Sequence, residues 1–397
     1  CTPNPRDTER LDVFVRGKWC GMGSLSLGLA FLFSFLLLSS ATADDVLRLP
    51  STLSTQQAEK LLRGLNVVPV DGSTLARYAR MDDSGKSIVE RRFGCMDAAL
   101  DATFVETLFQ RGKLSVQIVE KKPSDLDASI LMVTPWKAAQ YPVILFLHGF
   151  NGQNVQYSQL LEHIASHGYI VVAPQLSGED DAKSAAAVVD WLSYGLQRVL
   201  PRGARPNLRK LALAGHGRGG HTAFAMVKYK QTSLKFSALL GIDPVVGQIF
   251  QLEPKVLKYK PDSLNITIPI LVVGSGLEER SSAAQPCAPQ HLSHSQLFKE
   301  CRRPCYHFVL EDYGHMDMLD DDAHSSTVCV SRGGGRSFMR RSIAGLSIAF
   351  LTAFLENSAG DLDAIRCHPG VAPAKLNLAE RKPVALGMLD DKEGASL

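Results

Sequence analysis

The stretch with the clearest chemical potential is a glycine-rich corner at residues 215–220, Gly-His-Gly-Arg-Gly-Gly. An apolar run precedes it and a run of helix-forming residues follows, which predicts a strand, a sharp turn and a helix. In a nucleophile elbow, G-x-S-x-G, the middle serine is exposed at the end of the strand, where it can attack a carbonyl carbon. Here Gly217 holds the middle position. The corner therefore has the flanking glycines of an elbow without its hydroxyl.

A dinucleotide-binding loop is the other interpretation of the same corner. Gly215, Gly217 and Gly220 also fit G-x-G-x-x-G, and Asp243 follows at roughly the distance of an acid that binds a ribose. Such a loop normally follows the first strand of its unit, whereas this corner comes after several predicted strands. The order weakens the dinucleotide interpretation and leaves it as an alternative.

Further residues that could do chemistry stand where apolar runs end. A His-Gly turn at 148–149 precedes Phe150, Asp243 precedes a proline, and His315 lies in Gly-His-Met-Asp. The chain order of elbow, acid and histidine is that of the α/β-hydrolases. The acidic run that follows, residues 317–322, is expected to be a solvated loop.

Apolar runs predict the elements that position these residues. Strands are expected at 114–119, 130–133, 141–147, 169–173, 236–242, 268–273 and 306–310 and before the corner, with helices after the corner and at 160–167, 184–200 and 337–355. This alternation predicts an α/β-hydrolase fold, a mostly parallel central sheet with helices on both faces. Ligands of such sheets bind at the carboxyl ends of the strands, where Phe150, Gly217, Asp243 and His315 fall.

The chain divides into four parts by composition. Residues 1–43 are upstream sequence and a leader, whose apolar segment from Met22 ends in Ala-Thr-Ala like a secretory signal with its cleavage site. An uncleaved anchor helix is the alternative. Residues 44–105 are expected to be an N-terminal extension of helices and loops, residues 106–360 the hydrolase domain, and residues 361–397 a C-terminal tail.

Composition and cysteine content exclude other classes of protein. Lys and Arg number 43 against 40 Asp and Glu, and no basic stripe with interleaved aromatics indicates nucleic-acid binding. An even number of cysteines beyond the leader suits disulfides in an exported chain, with the four between Cys287 and Cys329 as first candidates. Cys301 and Cys305, with histidines nearby, fit no standard zinc spacing. We expect neither a metal nor a cofactor.

Several blocks of this sequence resemble the plant chlorophyllases. They lie at 146–150, 163–176, 215–220, 241–244, 287–289, 304–308 and 313–320, and the likeness covers roughly residues 114–355. The resemblance implies hydrolysis of the phytyl ester of chlorophyll to chlorophyllide and phytol by a Ser-His-Asp triad. Carried over by position, it implies that Asp243 is the acid and His315 the base, while Gly217 stands where the serine belongs.

The departure at Gly217 limits the activity that the resemblance implies. Glycine offers no atom that can accept an acyl group, so a water activated by His315 is the only direct nucleophile. The oxyanion donors would be the backbone amides of Phe150 and Arg218. We expect a chlorophyllase-like carboxylic-ester hydrolase with reduced turnover. The alternative is a pseudoenzyme that binds chlorophyll or another long-chain ester without cleaving it.

The leader and the resemblance favour different locations for the protein. The leader predicts the secretory route, to the endoplasmic reticulum, the vacuole or the outside of the cell. The substrate that the resemblance implies resides in plastid membranes, so the chloroplast is the alternative. A long-chain ester is compatible with peripheral contact between the protein and a membrane.

Overall fold

A computed structural model describes most of the chain from residue 105 onward and two short strands before it. The described residues are 11–14, 46–49, 105–150, 152–177, 181–230, 232–246, 254–277, 287–302, 304–323, 329–332 and 334–382. The predicted leader segment at 22–43 lies outside them, as does most of the 44–105 extension.

The chain divides into two units, residues 1–100 and residues 101–397. In the first unit, β1 (Leu11–Phe14) pairs antiparallel with β2 (Val46–Leu49). The four residues of β2 fall in the extension, for which the sequence predicts mostly helices and loops.

The second unit is built on a sheet of nine strands. Its strands are β3 (Val116–Lys121), β4 (Ile130–Pro135), β5 (Ala139–Leu147), β6 (Ile170–Pro174), β7 (Ala204–His216), β8 (Ala238–Ile242), β9 (Ile270–Ser275), β10 (Cys305–Leu310) and β11 (Leu376–Arg381). Across the sheet the order is β3-β4-β6-β5-β7-β8-β9-β10-β11. Neighbours from β6 to β10 are parallel, whereas β3, β4 and β11 add antiparallel pairs at the edges.

Helices cover both faces of this sheet. They are α1 (Ser158–Ser166), α2 (Asp181–Leu192), α3 (Leu196–Val199), α4 (Gly217–Tyr229), α5 (His294–Glu300), α6 (Arg336–Leu355) and α7 (Gly360–Cys367). Helices α2 and α4 pack together on one face, and α1 and α6 pack together on the other. Every residue of β6 is buried, as expected for a strand covered on both sides. The mostly parallel sheet between helical layers confirms the predicted α/β-hydrolase fold.

Three elements differ from the sequence prediction. The helix predicted at 184–200 is divided into α2 and α3 near Gly195, a residue type that weakens helices. Residues 204–207, which lie between the helix predicted at 184–200 and the strand predicted before the corner, begin β7 because they pair with the start of β5. Strand β11 lies in the residues assigned to a tail and forms the sheet edge beside β10, so the sheet extends past residue 360.

Within the described residues, α6 is the one helix whose length and composition would suit a membrane span. Of its most apolar window, 78% is buried inside the protein. Phe350 of this helix packs against Tyr306 of β10, with ring centroids 6.3 Å apart. The apolar surface of α6 is used in the core.

Of the four cysteines singled out as disulfide candidates, two are paired with each other and two are free. Cys287 and Cys329 form a disulfide, and Cys367 is also disulfide-bonded. Cys301 and Cys305 are buried free thiols. Nowhere in the described part of the chain do three or more His, Cys, Asp or Glu side chains form a group that could hold a metal ion.

Candidate active site

Strand β7 and helix α4 meet at the predicted corner, and the chain turns there within one residue. His216 ends the strand, and Gly217 begins the helix with a φ of 53°, in the left-handed region that favours glycine. A β-carbon at Gly215 or at Gly219 would lie 2.3 Å from a backbone oxygen. The flanking glycines therefore allow the strand and helix to approach closely. This is the backbone of a nucleophile elbow with no side chain at its apex.

The imidazole of His315 lies directly against that apex. A β-carbon at Gly217 would be 2.9 Å from Nε2 of His315 and 3.9 Å from Cα of Gly149. Real β-carbons essentially never come within 3.0 Å of a neighbouring atom. The imidazole therefore occupies part of the space that a serine side chain would need.

Asp243 orients this imidazole from the loop after β8. Its Oδ2 accepts a hydrogen bond of 2.8 Å from Nδ1 of His315, which leaves Nε2 facing Gly217. The same carboxylate accepts hydrogen bonds from the hydroxyl of Ser275 at 2.7 Å and from its backbone N–H at 2.9 Å. Asp243 is fully buried, and these bonds offset the cost of burying its charge. The loop is tied to the elbow because Val245 N–H donates to the Gly217 carbonyl at 3.1 Å.

Ser275 is a residue of the candidate site that was not predicted from the sequence. Its signal is its place in Gly-Ser-Gly at the end of β9, the next strand beside β8. Neighbouring parallel strands bring their carboxyl ends together, so a hydroxyl there could have been paired with Asp243.

The loop that carries His315 is fixed by buried carboxylates. Asp317 accepts hydrogen bonds from Gly314 N–H at 2.9 Å, from Arg332 N–H at 2.8 Å and from the Ser331 hydroxyl. Asp320 accepts a bond of 3.0 Å from the backbone of helix α1, and burial raises the pKa of Asp320 to about 6. The expectation of a solvated acidic loop is thus wrong for these two residues, because each satisfies backbone donors that would otherwise be buried unpaired.

Phe150 and Arg218 directly follow Gly149 and Gly217, the two residues that approach each other at the apex. Phe150 follows Gly149 in the loop after β5, and Arg218 is the second residue of α4, where backbone N–H groups have no acceptor within the helix. The Arg218 guanidinium lies 5.5 Å from the centroid of the Phe150 ring, and its Nε is 3.0 Å from Oδ2 of Asp181. Asp181, which the sequence analysis did not single out, anchors this contact from the start of α2.

His148 shapes the loop that leads to Phe150. Its Nε2 accepts a hydrogen bond of 2.9 Å from the Leu176 N–H, so its Nδ1–H donates to the Gly149 carbonyl at 2.8 Å. Burial lowers the pKa of His148 below its ordinary value, although the carbonyl contact acts in the opposite direction. A neutral imidazole with one donor and one acceptor fits both partners.

The assembled groups favour ester chemistry over dinucleotide binding. His315, oriented by Asp243, can take a proton from a small nucleophile, and a helix N-terminus stands beside the apex. Asp243 binds His315 and Ser275 instead of facing a ribose. The corner follows the fifth strand of the sheet along the chain, not the first.

Comparison with known proteins relates this chain to the chlorophyllases. The family model described as Chlorophyllase matches residues 104–383. Chlorophyllase-2 of Arabidopsis thaliana is 45% identical over 263 residues, which cover 61% of this chain and 83% of that protein. Chlorophyllase-1 of the same plant is 39% identical over 304 residues, 70% of this chain and 94% of its own length. Chloroplastic chlorophyllase-1 of Citrus unshiu is 38% identical over 302 residues, with coverage of 70% and 90%.

Proposed function

The chain belongs to the chlorophyllase family, and from that premise we propose that it binds a chlorophyll-type ester at the Gly217 elbow and hydrolyses it slowly by direct attack of water. The observation that supports this proposal is the position of His315. Its Nε2 stands 2.9 Å from the point where a β-carbon of Gly217 would be, while Asp243 binds its Nδ1. A base in that place can serve a nucleophile at the apex whether or not the nucleophile is a side chain.

The reaction would proceed in two steps. Water beside Gly217 gives a proton to Nε2 of His315 as its oxygen attacks the ester carbonyl carbon, and Asp243 stabilises the imidazolium. The backbone amides of Phe150 and Arg218 donate to the oxyanion of the tetrahedral intermediate. The bond from carbon to the phytyl oxygen then breaks, and His315 returns the proton to the departing alkoxide. The products are chlorophyllide and phytol, and no acyl-enzyme forms.

The absence of a serine sets the expected rate. In a serine protease, removal of the nucleophile costs about 10⁶-fold in kcat, while the oxyanion hole and binding retain roughly 10³- to 10⁴-fold over the uncatalysed reaction. We expect the turnover of this chain to lie in that residual range, far below a relative with serine at the apex.

Binding without cleavage is the second candidate, and the crowding at the apex favours it. Nε2 of His315 lies so close to the elbow that a water must compete with the imidazole for space. A chain with this geometry can retain the ester-binding site of its family and release its ligand unchanged.

For the location of the protein, two observations point in different directions. The Citrus unshiu and Citrus sinensis relatives are named chloroplastic, which favours the chloroplast. The leader predicted at residues 1–43 favours the secretory route. A fluorescent fusion to the C-terminus of the full chain in leaf cells separates the two, since only one compartment should accumulate the signal.

The catalytic proposal is tested with three forms of the full chain: native, Gly217→Ser and Gly217→Ala. Each is incubated with chlorophyll, and release of chlorophyllide is measured. We expect slow release by the native chain, release by the serine variant faster by at least about 10³-fold, and no gain from alanine, which adds a β-carbon without a hydroxyl.

Two outcomes would overturn parts of this proposal. A serine variant that is folded yet inert would contradict the assignment of the site. Native chain that binds chlorophyll saturably without releasing chlorophyllide would select the non-cleaving candidate. Residual release by the native chain must disappear in His315→Ala, because that activity requires the base.

A further inference from the structure

Behind the site, a buried series of hydrogen bonds joins the loop of Phe150 to the loop of His315. Gly149 N–H donates to the Tyr157 hydroxyl oxygen at 3.0 Å. That hydroxyl lies 2.7 Å from Nδ1 of His216, and Nε2 of His216 lies 3.1 Å from the backbone carbonyl oxygen of His315. Tyr157 and His216 are each 1% exposed, so water does not compete for these contacts.

The two ends of the series determine its direction. A carbonyl oxygen only accepts, so Nε2 of His216 carries the proton that binds His315. A backbone N–H only donates, so the Tyr157 oxygen accepts from Gly149 and directs its own proton onward. Nδ1 of a neutral His216 is the acceptor for that proton. Each donor thus meets one acceptor, and the arrangement requires an uncharged His216.

A second proton on His216 would disrupt this arrangement. The titratable groups that face it are His315, with ring centroids 4.3 Å apart, Tyr157, Asp243 and His148. Burial lowers the pKa of His216 well below its ordinary value, and the nearby His315 lowers it further. The negative charge of Asp243 raises the pKa of His216, but the Asp243 carboxylate already binds His315 and Ser275. A charged His216 would also oppose the imidazolium that forms on His315.

We propose that Tyr157 and His216 are a positioning pair that holds the loop of Phe150, the elbow and the general base at fixed distances from one another. His216 is suited to this role because it directly precedes Gly217 in the chain, and its ring binds the loop of His315 directly and the loop of Phe150 by way of Tyr157. Neither residue is placed to react with an ester. The inference rests on the proposed function, since it assigns the pair to the same site.

The geometry of the pair is tested by NMR of the full native chain with ¹⁵N-labelled histidine. We expect His216 to be neutral, with its proton on Nε2, throughout the pH range around 6.5 in which an ordinary histidine becomes charged. A His216 that carries its proton on Nδ1, or that becomes charged between about pH 6 and 7, would overturn the proposal. This measurement does not depend on any catalytic activity.

The catalytic role of the pair is tested by Tyr157→Phe in the Gly217→Ser background. Loss of the hydroxyl should lower kcat on the order of 10- to 100-fold with little change in KM, because the reacting groups are displaced but the substrate pocket is not. The acid limb of the pH–rate profile should move to higher pH, because Nδ1 of His216 loses the donor that favours its neutral form.

Tyr169→Phe is the matched control. Tyr169 is also buried, at 4% exposure, and its hydroxyl lies 3.3 Å from the Thr352 hydroxyl of α6. The Tyr169→Phe variant should be less stable to unfolding, whereas its kcat and the acid limb of its pH–rate profile should not change. Equal kinetic effects of both variants, or none, would show that Tyr157 is merely structural. If Gly217→Ser itself is inert, the proposed function fails, and the histidine NMR still decides whether the pair is arranged as proposed.

Discussion

The acid–base half of the site and its elbow half are held in place by different parts of the protein. Around Asp243 and His315, buried side chains such as Ser275 and Asp317 supply the hydrogen bonds. At Gly217 itself, the turn is set by the main chain, through close-packed flanking glycines and a positive φ. The backbone of an elbow does not need its apex side chain in order to form.

This difference explains how the site can lose its nucleophile and keep its shape. None of the hydrogen bonds described for Asp243 or for the Nδ1 of His315 involves the side chain at the apex. The base can therefore remain oriented in the absence of a serine. Chemistry at the apex and the architecture around it can be tested by separate substitutions.

The largest effect is expected when the carboxylate of Asp243 is replaced by an amide. In the Gly217→Ser background, Asp243→Asn should lower kcat by about 10⁴-fold, because an amide no longer fixes the imidazole tautomer or stabilises its charge. Chlorophyllide release measures the loss. Denaturant unfolding provides the control, since asparagine can still accept from Ser275. A loss below tenfold would remove Asp243 from the mechanism and with it the contrast between the halves.

The free energy of unfolding should distinguish a flanking glycine of the elbow, Gly219, from the apex glycine, Gly217. A β-carbon at Gly219 would lie 2.3 Å from the Leu147 carbonyl oxygen and 2.4 Å from that of His148, and neither backbone atom can move freely. Gly219→Ala should therefore lower the free energy of unfolding by about 3 kcal/mol or more. Gly217→Ala should cost about 1 kcal/mol, because it meets only a side-chain ring and a positive φ. Equal costs would contradict the contrast.

Acid should destabilise the fold through histidines that are buried outside the site as well as within it. On α1, burial lowers the pKa of His163 to about 4, so its contribution to stability is present above about 6.5 and is lost as pH falls towards 4. His163→Gln should reduce this loss by up to roughly 3 kcal/mol. Urea unfolding across this pH range measures it.

Asp320 provides a control of opposite sign for that experiment. Its raised pKa of about 6 means that the folded chain takes up a proton before the unfolded chain does, so acid favours folding at this one group. Asp320→Asn should make the loss of stability below about pH 6 steeper. A flatter profile in this variant would contradict the burial of the carboxyl group.

The smallest expected effect is at Ser275. Ser275→Ala in the Gly217→Ser background should lower kcat about tenfold, because Asp243 keeps its bonds to His315 and to the backbone of residue 275 but loses one hydroxyl donor. Ser347→Ala is the control. Ser347 is a buried residue of α6, and its hydroxyl donates to the Ile343 carbonyl of the same helix at 2.7 Å. If both variants leave kcat unchanged, the side-chain support of the acid is unimportant.

Much of the fold could be predicted from the sequence because its signals are local. Apolar runs mark the strands from β4 to β10, and the glycine spacing marks the turn between β7 and α4. The edge strand β11 could not be found this way, because a strand with polar residues forms only where β10 offers unpaired backbone groups. The break between α2 and α3 likewise depends on packing around Trp191 and Gly195.

By itself the sequence determined the fold class, the family resemblance, the order of elbow, acid and histidine, and the absence of a hydroxyl at Gly217. Tertiary structure alone decided which polar groups support them. Ser275 meets Asp243 across 32 residues, and His216 meets the His315 carbonyl across 99. A buried donor must find an acceptor wherever the packed elements bring one, and that partner leaves no local pattern in the chain.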